Sequence, residues 1–127
     1  MSKKRKPGGN RQAGNRYERA LVFDFKDLGY LGCKTSRFSN RLLDYCKVDL
    51  NLPYLNIQAM YVKNNVNYLE IFDSMKKLLH ENYPERENFI STVFHKRGAK
   101  EIVVMTKEDF YRIWKIITDN NLMSNLW

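Results

Sequence analysis

Lys47-Val-Asp-Leu-Asn-Leu-Pro-Tyr-Leu-Asn-Ile-Gln-Ala-Met-Tyr-Val62 holds two short apolar segments, Val48 to Leu52 and Tyr54 to Val62, divided by Pro53. Their β-branched and aromatic residues and alternating polarity favour strands over helix, so the stretch predicts a small β-meander. On the second strand the period of two places Leu55, Ile57, Ala59 and Tyr61 on one face and Asn56, Gln58 and Met60 on the other. Asp49 stands just before the turn, and a hairpin brings it near Gln58. Val48 and Leu50 bracket Asp49 in its strand, and a carboxylate among apolar neighbours must find a cation or a metal, since burying it unpaired is costly. Asp44, among Leu42, Leu43 and Tyr45 in less regular surroundings, is the competing acid. The bland alternative for Asp49 is a strand-end residue on the surface.

An acid on one strand, followed on the next by a polar residue, a spacer and one more residue, resembles the motif of the PD-(D/E)XK nuclease superfamily; here it is Asp49 and then Gln58-Ala59-Met60. More narrowly, the arrangement is similar to a phage branch of the archaeal-type Holliday junction resolvases, in which the second motif often reads Gln-x-Lys. The lysine is missing, and Met60 stands in its place. The resemblance spans residues 15 to 60 and implies an α/β, restriction-endonuclease-like fold: a mixed central sheet of about five strands flanked by helices. It implies a magnesium-dependent endonuclease, with manganese as an alternative ion, that cuts four-way DNA junctions as a homodimer in a phage-infected host's cytoplasm. Its catalytic positions fall on Glu18, Asp49, Gln58 and Met60. Asp49 anchors the metal, with the Gln58 amide oxygen, the Ala59 carbonyl and Glu18 as further ligands, all hard oxygens as magnesium requires. The family lysine orients or activates the attacking water and stabilises the pentavalent transition state. Met60 has neither charge nor a transferable proton, and losing such a group costs on the order of a hundredfold in rate. The chain as written is therefore expected to bind metal and branched DNA but cut slowly or not at all. Met60 also reads as an introduced replacement of lysine, as the mark of a lineage that kept binding alone, or as plain core packing.

The 127 residues, 43% of them hydrophobic, suit one domain with one core. With 22 basic against 14 acidic residues the net charge is +8, which favours a polyanionic partner. The charge is uneven: Lys3, Lys4, Arg5, Lys6, Arg11 and Arg16 all precede the first acid. Residues 1–15 combine these cations with Gly and Pro and almost no apolar side chains, so they read as a basic arm, disordered when free, ahead of a domain over 16–127. Such an arm tethers phosphates through counterion release, or simply solubilises the chain.

Asn15 is the expected N-cap of a first helix, with Glu18 in the capping-box position, a stripe of Tyr17, Leu21, Phe25 and Leu28, and Gly29 as its stop. Glu18 has two readings, helix cap or metal-directed acid of the early Glu-Arg pair formed with Arg19. Tyr30 to Arg37 suggests a strand, and Thr35 to Arg41 a polar, basic loop. Ser36, Arg37, Ser39 and Arg41 there are assigned to the DNA backbone, through hydroxyls and Arg forks and by likeness to the resolvase segment before the catalytic acid.

Asn67 and Glu70 repeat the cap pattern ahead of a helix whose Leu69, Phe72, Met75 and Leu79 face the sheet. Phe89 to Phe94 and Glu101 to Met105 read as a hairpin whose basic turn, His95 to Lys100, carries Lys96 and Arg97 toward phosphates or solvent. Thr106 with Asp109 caps a last helix with an expected buried face of Phe110, Ile113, Trp114 and Ile117. Leu122, Leu126 and Trp127 form an apolar tail suited to docking on the domain or on a second subunit.

Cys33 and Cys46 lie too far apart for a clamp, and His80 and His95 have no ligand-spaced neighbours, so zinc is not expected and both thiols read as buried and reduced. No apolar run approaches the roughly 20 residues needed to span a bilayer, and no signal-peptide segment follows the basic start, so a cytoplasmic protein without membrane contact is expected. Two other function classes compete with the nuclease: a non-catalytic nucleic-acid-binding protein using the basic arm, and a packaging protein that holds genomic DNA.

Overall fold

The computed structural model describes residues 9–126 of the chain. It is a mixed α/β fold. The first helix, α1, spans Gly9–Asp27; the strands β1 (Lys34–Thr35) and β2 (Leu50–Asn51) pair antiparallel, with the short helices α2 (Ser36–Ser39) and α3 (Arg41–Tyr45) between them. A second sheet contains β3 (Leu55–Tyr61), β4 (Ile90–Arg97) and β5 (Lys100–Met105) in the order β3-β4-β5. The helix α4 (Tyr68–Asn82) is the crossover that makes β3 and β4 parallel, and the hairpin β4–β5 is antiparallel. A last helix, α5, spans Lys107–Asp119.

The five expected strands exist, but as sheets of two and three strands and not as one continuous sheet. The seam between them is the β2–β3 hairpin, bridged at Leu52 and Leu55 and then held by the Asp49 N–H donating to the Ile57 carbonyl at 2.7 Å. The reason for the short ladders is local. Residues 36–45, expected as the tail of a strand and a loop, form the two helical pieces α2 and α3, split at Asn40, whose side chain accepts from the Leu43 N–H.

α1 begins at Gly9, well before the expected cap at Asn15, so residues 9–15 are helical and do not belong to a flexible arm. Lys3, Lys4, Arg5 and Lys6 lie outside the described residues. Tyr17, Leu21 and Phe25 are buried as the stripe requires, joined by Val22, whereas Leu28 is 71% exposed, past the end of the packed face. Gly29 stops the helix with a φ of 107°, the Tyr30 N–H reaching back to the Phe25 carbonyl and the Gly29 N–H to that of Lys26.

The core has two parts, one on each side of the seam. Tyr17, Leu21, Val22 and Phe25 of α1 pack on Cys33, Leu50, Leu52 and Ile57. On the other side Met75 and Leu79 of α4 cover Leu43, Cys46 and Val48. Both cysteines are buried and free, and burial pushes their thiols up. α4 is capped by Asn67 accepting from the Glu70 N–H, as expected, but Leu69 is 72% exposed and takes no part in its buried face.

The C-terminal end departs most from expectation. Thr106 does cap α5 by accepting from the Asp109 N–H. No residue of α5 is buried, however: Phe110 and Trp114, expected in the core, are 49% and 40% exposed, and Ile113 and Ile117 of the expected face are partly covered. α5 is fixed instead by polar ties, since Asp109 accepts from the Ser91 N–H and Arg112 donates to the Asn88 carbonyl. Leu122 and Leu126 are exposed as well, and Trp127 lies outside the described residues. Among the described residues no helix is long and apolar enough to cross a membrane.

Candidate functional site

Asp49 sits at the seam, and its main chain is shared between the two sheets: its carbonyl accepts from the Ser36 N–H and its N–H donates to Ile57. Its carboxylate then does what a main-chain carbonyl would do in a regular ladder. The Ala59 N–H donates to Asp49 Oδ2 at 2.7 Å. Because the N–H and C=O of one strand residue point to the same edge, the Ala59 carbonyl also faces this gap. A carboxylate and a carbonyl thus converge where β2 leaves β3.

The environment is unusual for a carboxylate. Burial pushes the Asp49 carboxyl up to about 7, with the neighbouring Glu18 and Asp44 pushing the same way and only the Ala59 hydrogen bond and the Lys47 charge opposing them. Glu18 is itself 8% exposed, and its carboxyl is raised by burial, against the Arg37 guanidinium that lies 3.7 Å away. Because α1 starts at Gly9, Glu18 is in mid-helix and the capping reading is overturned. Asp44, on α3, was the rival acid in the sequence; it raises both Glu18 and Asp49, so all three carboxylates share one field. Among the described residues no group of three or more His, Cys, Asp or Glu side chains stands close enough to hold one ion.

Gln58 and Met60 point away from this acid cluster. Leu55, Ile57 and Ala59 pack against the α1 core, and Gln58, on the opposite face of β3, lines a cavity of about 310 Å³ with Lys47, Val66, Asn67, Glu70, Ile71 and Ser74. Met60 is partly buried opposite His95 of β4. His95 is buried, with its ring nitrogens taken up by the Tyr68 hydroxyl and the Val62 carbonyl, so it locks the crossover and is not a free base beside Met60.

The expected phosphate-binding residues divide sharply. Ser36 is fully buried and its hydroxyl has no partner among the described residues, so it cannot reach a DNA backbone. Ser39 is exposed and donates to the Thr35 carbonyl. Arg16, Arg19, Arg41 and Arg97 are exposed, Arg11 falls in the first turns of α1, and Arg37 is partly buried over Glu18. Lys96 is not on a loop: β4 runs through Arg97, the turn is Gly98-Ala99, and the Lys96 ammonium lies about 6 Å from the rings of Tyr17 (6.0 Å) and Tyr61 (5.9 Å).

A groove of about 400 Å³ between α1 and α2 is lined by Arg19, Lys26, Lys34 and Ser39 together with Phe23 and Phe38. The two phenylalanines are 65% and 82% exposed. Cations interleaved with exposed rings suit phosphates and stacked bases. Lys26 at seven residues from Arg19 on one helix, and Phe38 inside the Ser-Arg segment, were the available signals for this groove.

Arg86, which carries no motif, is 7% exposed. Its guanidinium donates to Asn56 Oδ1 at 3.0 Å and to the Leu52 and Leu55 carbonyls at 2.7 and 2.9 Å, pinning the tip of the β2–β3 hairpin. Comparison of the chain with protein-family models, curated proteins and solved structures yields no match.

Proposed function

We propose that the chain is a divalent-metal-dependent endonuclease of the Holliday-junction-resolvase type whose rate is depressed by Met60. The observation that carries this reading is the partly desolvated Asp49 carboxylate, held by a single protein hydrogen bond in the gap between β2 and β3 and beside two further acids. A carboxylate so placed favours either a proton or a cation. The mixed α/β arrangement, with α1 and α4 on either side and a parallel crossover between β3 and β4, supports a restriction-endonuclease-like core.

Asp49 and the Ala59 carbonyl at the gap, with Glu18 nearby, suit magnesium or manganese in kind, whereas Gln58 lies on the opposite face of β3 and is not part of this donor set. When bound, the ion supplies Lewis-acid polarisation of the scissile phosphate. The chain's own residues supply the rest. Arg19, Lys26, Lys34, Arg41 and the N-terminal cations hold phosphates, and Phe23 and Phe38 offer stacking faces for unpaired bases at a branch point. Arg37 restrains Glu18 and brings positive charge to the acid cluster.

A homodimer acting in the cytoplasm follows from the same reading, because a four-way junction is two-fold symmetric and needs paired cuts. The exposed Phe110 and Trp114, one turn apart on α5 with stacked rings 6.2 Å apart, give it an apolar contact patch. The second reading is a non-catalytic nucleic-acid-binding protein, favoured by the absence of any charge at Met60.

A nicking assay on a four-way junction and on linear duplex, with magnesium or manganese, tests this. Met60→Lys should raise junction cleavage by on the order of a hundredfold, and adding Asp49→Ala should abolish it. Absence of metal-dependent cleavage by Met60→Lys, with junction affinity intact, would transfer the conclusion to the second reading.

A further inference from the structure

Gln12, Arg16, Arg19, Phe23 and Lys26 recur at intervals of four, three, four and three residues, so they fall in one stripe along α1. At 1.5 Å per residue the stripe is about 21 Å long. The groove between α1 and α2 occupies its later half, and a second hollow of about 300 Å³, lined by Gln12, Asn15, Arg16 and Arg19, continues it toward the start of the helix. Arg19 stands in both. No acid lines either hollow, and Arg16, Arg19, Lys26 and Lys34 enter no ion pair among the described residues. The other flank of α1 differs: there a hollow of about 480 Å³ sets Asp24 and Glu101 against Arg16 and Lys96, so its charges cancel.

Two rings stand in the cationic groove. The Lys26 ammonium lies 5.9 Å from the ring centre of Phe23 and the Arg37 guanidinium 4.9 Å from that of Phe38, yet both rings keep most of their surface exposed. Phe38 does not ride on a loose loop. The Ser36 N–H donates to the Asp49 carbonyl and the Ser39 hydroxyl to the Thr35 carbonyl, each at 2.8 Å, which fastens α2 on both sides of the ring. A ring fixed in the open loses little freedom when something stacks on it.

We propose that this face of α1, walled by Phe38, seats a single-stranded polynucleotide in preference to duplex, with no divalent ion and no branch point required. In a duplex the faces of each base are covered by its neighbours and only edges show in the grooves, so a protein ring stacks on a base only where the strand is open. Phe23 and Phe38 take such bases, and Arg16, Arg19, Lys26 and Lys34 take the phosphates beside them. Sequence preference is weak, because every base offers a face. The inference extends these residues beyond the junction contacts given above and does not rest on cleavage.

Fluorescence anisotropy in EDTA tests it, with labelled oligo(dT) and oligo(rU) of about 12 nucleotides, a duplex of equal length, and an abasic oligodeoxynucleotide that keeps the phosphates without the bases. At least one of the two single strands should bind about tenfold or more tightly than the duplex, and the tighter of them identifies the sugar. The abasic strand should bind about tenfold more weakly than oligo(dT), and Phe23→Ala/Phe38→Ala should lose a similar factor on oligo(dT) with duplex affinity and thermal unfolding unchanged. A duplex bound as tightly as both single strands overturns the proposal and leaves a basic face that holds phosphates alone. So does an abasic strand bound as tightly as oligo(dT), a comparison made on the unaltered chain that decides the matter even if the double variant fails to fold. A folded double variant with undiminished single-strand affinity has the same force. With no metal present, none of these results bears on Asp49 or on the nuclease reading.

Discussion

Asp49, half-buried, and Arg86, buried, are both ionisable and attached to the same hairpin, yet they are treated oppositely. Arg86 reaches three acceptors, and Asn56 returns a hydrogen bond to its carbonyl at 2.8 Å, so its charge is spread over Asn56, Leu52 and Leu55 without any carboxylate. Asp49 has one protein donor to its carboxylate and two acids in its field. A buried charge whose needs are met by the fold is part of the fold. One whose needs are left open is waiting for something the chain does not contain, and that difference separates a clasp from a site.

The largest test of the contrast is to remove the clasp. Arg86→Met leaves the Leu52 and Leu55 carbonyls and Asn56 Oδ1 without their donor, and should cost on the order of 3–5 kcal/mol in urea unfolding. A loss below about 1 kcal/mol would mean that Arg86 is as poorly served as Asp49, and the contrast would dissolve.

The next test is to neutralise the other member. The folded-state pKa of Asp49 stands at about 7 against an ordinary 3.8, so between these values the folded chain holds a proton that the unfolded chain has lost, and stability falls as pH rises through that window. Asp49→Asn keeps an acceptor for the Ala59 N–H and removes the charge. In metal-free buffer it should therefore be more stable than the unaltered chain at pH 8, by on the order of 2 kcal/mol, and equal to it near pH 4. Equal stability at both pH values would show that the carboxylate is well compensated after all.

The smallest effect is expected at Lys47. Lys47, at the end of α3, has a φ of 70°, and Lys47→Gly relieves it and should raise stability by up to about 1 kcal/mol in urea unfolding. Gly29→Ala at the matching end of α1 should do the reverse to stability, because nothing crowds a β-carbon there and the φ of 107° alone opposes it. Opposite signs at the two ends would show that the same cap geometry is met by the fitting residue at Gly29 and by a strained one at Lys47.

Much of this was legible where a short-range rule applies. Asn67 with Glu70, Thr106 with Asp109, and Gly29 each mark a helix end through contacts within a few residues. The strand β3 and its alternation were equally plain, since the period of two is written in Leu55 to Tyr61. What escaped was long-range or too short to have a period. α2 and α3 have four and five residues, less than two turns, and an apolar or polar rhythm cannot declare itself over that span. Ser36 reads as a loop hydroxyl and lies in the interior, because the Asp49 carbonyl that holds its N–H is thirteen residues away. Arg86 meets partners thirty to thirty-four residues away. α5 has the strongest amphipathic pattern, and that pattern says which face is apolar without saying what covers it. At the site, Asp49 was legible as an acid needing a partner, whereas Glu18 read as a helix cap or as a metal-directed acid, because the start of α1 at Gly9 could not be seen.

One consequence of the seam lies in its chemistry of fastening. Where main chain meets main chain, a sheet is indifferent to acidity and to ions; here one stitch is a carboxylate oxygen taking the Ala59 amide proton. Whatever claims that oxygen, a hydrogen ion or a dissolved cation, must loosen or re-aim the stitch. The amide of residue 59 is thereby a resident indicator, tuned by nature of its position to the occupancy of the gap.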